Sequence, residues 1–115
     1  MEDPIAFDLW GAVIPEHKEQ AVATIGKLRP DVSRPAILRE LIVAPGPDRQ
    51  VLIARDLAWD TARSLREQLV NHFEHPQVYQ TGYGPPNRAR LKKCPVHQIC
   101  YGGVLGCPVC DGWFR

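Results

Sequence analysis

Two near-identical turns close to the end of the sequence, Cys94-Pro95-Val96-His97 and Cys107-Pro108-Val109-Cys110, constrain this chain more than any other feature. In each, the proline stiffens the chain and a two-residue gap aims both ends at one point. Together they present four N/S donors, the number that a closed tetrahedral zinc site takes. A stretch this short has almost no apolar core. Its folding free energy would come mainly from a bound metal, on the order of 10 kcal/mol.

The preferred ligands are Cys94, His97, Cys107 and Cys110. Cys100 is the competing fourth ligand, because in place of His97 it completes a four-cysteine site. The repeated Cys-Pro-Val favours His97. A mixed Cys/His tetrahedral set favours Zn2+, whereas the histidine and the short loop weigh against an iron–sulfur cluster. With four protein ligands no position stays open for water or substrate, so the single zinc is expected to be structural. Tyr101, Trp113 and Phe114 are expected to lid the site, with Gly102, Gly103 and Gly106 permitting the tight loop between the turns.

The 115 residues, 44% hydrophobic and 23% charged, suit one compact domain with an appendage. No apolar run approaches a membrane span. The acidic start Met1-Glu2-Asp3-Pro4 lacks the pattern of a secretory signal, so the expected location is cytoplasmic. In that reducing compartment, clustered cysteines read as metal ligands before disulfides. There is no phosphate-cradling glycine loop, no Gly-x-Ser-x-Gly and no nucleophile with a plausible base. The chain therefore reads as non-enzymatic.

Apolar spacing gives the elements. Ile5, Phe7, Leu9, Gly11 and Val13 alternate as a strand that Pro15 ends. Ala21, Val22, Ile25 and Leu28 make a helical stripe over 16–29, stopped by Pro30. Ser33 is placed to cap a second helix with Ile37, Leu38, Leu41 and Ile42 inward. Val51, Leu52 and Ile53 read as a second strand. Ala58, Ala62, Leu65, Leu69 and Phe73 read as a long helix over 57–73, capped by Asp56 or Asp60, with Arg63, Arg66 and Glu67 facing water. Residues 77–80 read as a third strand. The expected fold is α+β, a small β-α-α-β-α-β sandwich of a three-stranded sheet with helices on one face, carrying a C-terminal zinc knob. Residues 1–81 form the α+β domain, 82–93 a basic linker and 94–115 the zinc-binding tail.

The body, about residues 7–80, resembles the C-terminal domain of the bacterial ribosomal stalk protein. Phe7-Asp8-Leu9 looks like that family's opening strand, and Gln20-Ala21-Val22-Ala23-Thr24-Ile25 looks like its first helix. Arg39-Glu40-Leu41-Ile42-Val43-Ala44-Pro45 falls at the end of its second helix, and Thr61-Ala62-Arg63-Ser64-Leu65-Arg66-Glu67-Gln68-Leu69 looks like its third. These are mostly core positions, so the resemblance implies the fold. The family docks translation GTPases through glycines and lysines entering its second helix. Asp31-Val32-Ser33-Arg34-Pro35 has neither, so factor binding is not implied. The tail resembles a short zinc-knuckle or zinc-ribbon site.

Charge is divided unevenly: residues 1–83 carry net −3 and residues 84–115 net +4. Arg88, Arg90, Lys92 and Lys93 lead into the first turn, and Tyr101 or Trp113 is available to stack on a base. Those six residues are the candidate RNA or DNA contacts. His72 and His75, three apart, are candidates for a second metal site, though helix-end histidines are more often simply favourable to the dipole. Trp10 marks either a contact surface or a core position. The expectation is a protein–protein interaction or adaptor module with a structural zinc, the alternative being a nucleic-acid-binding module.

Overall fold

The structure, a computed structural model, describes residues 5–43, 50–83, 91–102 and 106–112. From β1 (Phe7–Val13) the chain passes through a 3-10 turn into α1 (Lys18–Leu28), then α2 (Arg34–Val43), β2 (Gln50–Leu57), α3 (Trp59–Gln68) and β3 (Phe73–Gln80). Two short strands follow, β4 (Lys92–Lys93) and β5 (Ile99–Tyr101), and then a single helical turn, α4 (Pro108–Asp111).

The fold is α+β, but the sheet has five strands rather than three, in the order β2-β1-β3-β5-β4. β1 is antiparallel to both β2 and β3. β5 lies parallel to β3, with Val78 opposite Ile99, and β4 closes an antiparallel hairpin on β5. The expected linker and the tail thus each supply one strand of the same sheet. Strands of two and three residues carry too little alternation to be read in a sequence.

One face of the sheet presents Phe7, Leu9, Val51, Ile53, Val78 and Ile99, all buried. These join a single core with Ala21, Val22 and Ile25 of α1, Ile37 of α2, and Trp59 and Ala62 of α3. Fully burying one such aliphatic or aromatic side chain is worth about 1.5–3 kcal/mol. Ser33 caps α2, its hydroxyl accepting from the Ala36 N–H at 3.4 Å.

Four local expectations are corrected. Ile42, expected inward on α2, is exposed, because five residues at about 100° each carry it off the face of the buried Ile37. The helix expected over 57–73 stops at Gln68, and Leu69–Asn71 form a 3-10 turn into β3. β3 begins at Phe73, earlier than the strand expected over 77–80; a kink at His75 (φ +50°) coincides with a register shift opposite Trp10 and Ala12. Neither Asp56 nor Asp60 caps α3, whose N-cap is Ala58 with no side-chain cap. Asp56 is instead the penultimate residue of β2, with φ +56°, and donates its N–H to Asp8 at 3.0 Å. Thr81 donates its hydroxyl to the same carboxylate oxygen at 3.0 Å, which satisfies the buried Asp8 and ties the ends of β1, β2 and β3 together. Trp10 is half-buried and meets Tyr79 edge-on, ring centroids 6.5 Å apart.

Candidate metal centre

The first Cys-Pro-Val turn sits at the tip of the β4–β5 hairpin. Cys94 bonds both ways across the hairpin: its N–H donates to the Ile99 carbonyl at 3.0 Å, and its carbonyl accepts from the Gln98 N–H at 2.9 Å. Gln98 takes φ +56° to close this turn. The His97 N–H points back at the Cys94 sulfur at 3.4 Å. The second turn opens α4, where Cys107 is the N-cap, Pro108 starts the helix and Gly112 (φ +77°) ends it in the left-handed region.

The two turns bring together Cys94, His97, Cys107 and Cys110, whose donor atoms all lie within 4.8 Å of one another. His97 Nδ1 is 3.5 Å from the Cys94 sulfur, 3.9 Å from Cys107 and 3.4 Å from Cys110. The sulfurs of Cys94 and Cys110 are 3.7 Å apart. This arrangement is compatible with a metal ion held by all four. The cysteines are free thiols. Cys100 is not in the cluster: it lies in β5, opposite Tyr79 and Lys93. His97 therefore occupies the fourth corner, because its turn reverses the chain toward Cys94 before β5 carries Cys100 into the sheet.

The electrostatics divide the sulfurs. Burial pushes the Cys94 thiol up, but the backbone N–H of His97, the His97 ring and the Val96 N–H outweigh it and hold the thiol at about 6. Partial desolvation, reinforced by the sulfurs of Cys94 and Cys107, pushes Cys110 up to about 11.

The site is built onto the body. Cys94 and Cys107 belong to the main apolar core. The indole of Trp59 meets the His97 ring edge-on, centroids 5.8 Å apart. Arg66, expected to face water, instead donates to the carbonyls of His97 at 3.3 Å and Gln98 at 3.0 Å. Burial lowers its guanidinium from the ordinary value, with smaller effects from Glu67 and Arg63. Gln77 also donates to the Gln98 carbonyl, at 2.7 Å. The sequence reading missed Trp59 and Gln77. A signal was present for the helix: positions 59, 62, 66 and 69 fall on one helical stripe.

The other candidates are less closely gathered. Arg88, Arg90 and Trp113 lie outside the described residues, as do Phe114 and Gly103. Lys92 and Lys93 are exposed, but as neighbours on a strand they point to opposite faces. Tyr101 lies opposite Lys92. Lys93 lines a cleft of about 820 Å³ together with Glu67 and His75, while three more of its polar residues are engaged internally: Arg66 and Gln77 on carbonyls of the turn, Gln98 on the Pro95 carbonyl. His72 does not turn to His75; its ring meets His17, Nδ1 to Nδ1, at 3.1 Å. Among the described residues no helix is long and apolar enough to cross a membrane. No family model, curated protein or solved structure matches the chain.

Proposed function

We propose that the chain is a non-enzymatic protein–protein interaction module whose tail is held in shape by one structural zinc. The observation that carries the zinc is the spacing of the four donors. With Zn–S about 2.3 Å and Zn–N about 2.0–2.1 Å, a tetrahedron sets S···S near about 3.8 Å and S···N near about 3.6 Å. The separations of 3.7, 3.5 and 3.4 Å among Cys94, His97 and Cys110 match within a few tenths of an ångström; Cys107 stands slightly farther off, 3.9 Å from His97, with all four donors within 4.8 Å of one another. Four protein donors close the coordination shell, which favours a structural over a catalytic role. Free thiols fit a reducing, cytoplasmic setting.

The partner would be a protein. The metal-held turn presents Val96 to solvent, 74% exposed, and α2 presents Ile42, 77% exposed. Such a tip costs little to display because the turn behind it is anchored by Arg66 and Gln77. RNA or DNA is the second reading, favoured by exposed Lys92 and Lys93 beside the turn and by the net positive charge of residues 84–115.

Elemental analysis of reductively purified protein tests the zinc: about one zinc per chain is expected, and iron, or disulfides without metal, would overturn it. Parallel pull-downs with and without nuclease, using the wild type and Val96→Asp, test the partner. A stoichiometric protein lost with Val96→Asp supports the adaptor role. Recovery of nucleic acid alone, with binding that falls steeply with salt, replaces it with the second reading.

A further inference from the structure

His17 and His72 lie fifty-five positions apart in sequence yet place their Nδ1 atoms 3.1 Å from each other, with ring planes inclined at 57°. The contact is built by the backbone. His17 sits where the 3-10 turn after β1 passes into α1, and its N–H donates to Ile14 at 2.8 Å. The Ile14 N–H in turn donates to the His72 carbonyl at 3.2 Å, and the His72 N–H donates to Leu69 at 3.1 Å. Both side chains are half-buried, so their orientation is restrained while solvent still reaches them.

Two imidazole nitrogens that close must share a proton or a metal ion, because two lone pairs facing each other repel. With metal–nitrogen bonds of about 2.05 Å, a 3.1 Å separation corresponds to an N–M–N angle of about 98°. That lies between the right angle of octahedral or square-planar ions and the tetrahedral angle, so the separation suits one shared ion. We propose that His17 and His72 form a second, exchangeable site for a borderline divalent cation, Ni2+, Cu2+ or Zn2+, with water completing its shell. Imidazole donors select these ions over Mg2+ or Ca2+. Among the described residues no carboxylate or thiol joins the pair, and two protein ligands make a weaker, more open site than the four-donor cluster. The ion would brace the β1–α1 junction against the α3–β3 junction. Because it uses neither turn of the cysteine cluster, the site stands whether or not that cluster holds zinc.

The test is Ni2+ titration of the full chain with its cysteine cluster already loaded with Zn2+, followed by the ring resonances of each histidine. Paramagnetic broadening is expected at His17 and His72 before it reaches His75, an exposed histidine on β3 with no such neighbour described. His17→Asn and His72→Asn, each leaving one imidazole, should weaken the step by at least about tenfold. Ni2+ should also raise the Tm of the wild type but not of either variant. Broadening of His75 in parallel with the pair, or none at millimolar Ni2+, would overturn the site and leave a hydrogen-bonded pair. An unchanged titration in both variants would overturn it equally.

Discussion

Arg66 is the residue through which the body is expected to tune the metal site. Its guanidinium spans the carbonyls of His97 and Gln98, the two residues that turn the chain at the hairpin tip. Arg66→Met keeps the aliphatic stem and removes both charged donors. A hydrogen bond to a charged group is worth about 1.5–3 kcal/mol when well shielded, but Arg66 is only half-buried. The Gln98 carbonyl also keeps Gln77 at 2.7 Å, so most of the loss falls on the longer bond to His97. The net loss is then about 1.5 kcal/mol, equivalent to about tenfold in metal affinity. Arg63→Met is the control. It lies on the same helix, and its ion pair with Asp60 at 3.3 Å is exposed, worth about 0.5 kcal/mol or less and without contact to the site. Zinc affinity measured against a competing chelator should fall about tenfold for Arg66→Met and stay within about twofold for Arg63→Met. Equal affinities for the two variants would refute the claim that α3 positions the turn.

Gly11→Ala places a Cβ 3.1 Å from Ile53 Cδ1 and 3.3 Å from Phe73 Cβ in the core, and should cost about 1–3 kcal/mol in urea denaturation while leaving metal content unchanged. Cys100→Ser should leave zinc affinity within about twofold, because its sulfur is in the sheet, whereas His97→Ala removes a corner of the cluster and should weaken binding by more than about a hundredfold, both read by chelator competition. Zinc uptake at neutral pH should release protons: Cys110, held at about 11, is protonated in the metal-free protein, while Cys94, at about 6, is already a thiolate. Below about pH 6, Cys94 binds a proton as well, so affinity should fall more steeply with acid. Calorimetry in buffers of different ionisation enthalpy reads the release, and none at neutral pH would contradict it.

The element order from β1 to β3 was legible because each core stripe is long enough to show its period; Ala21, Val22 and Ile25 are buried as expected. The clustering of Cys94, His97, Cys107 and Cys110 was legible because a Cys-Pro-x-Cys or Cys-Pro-x-His turn is a local device, set by two residues of spacing. What tied the tail to the body was not. Ile99 joins the sheet through a parallel pairing with Val78, a contact between distant segments that a three-residue strand does not advertise. The end of the third helix was overrun because Phe73 satisfies the helical period while belonging to β3. Arg66 was placed in water because a charge outweighs a position on a helical stripe when only composition is weighed; docking on two carbonyls reverses that balance.

The central claim is that three sulfurs and one imidazole enclose a single zinc. X-ray absorption at the zinc edge on the reductively purified full chain tests it most directly. The account predicts about one zinc per chain with three sulfurs at about 2.3 Å and one nitrogen at about 2.0 Å. A shell of four sulfurs would put Cys100 where His97 is placed here, and an oxygen ligand would open the site to chemistry; either result would contradict it.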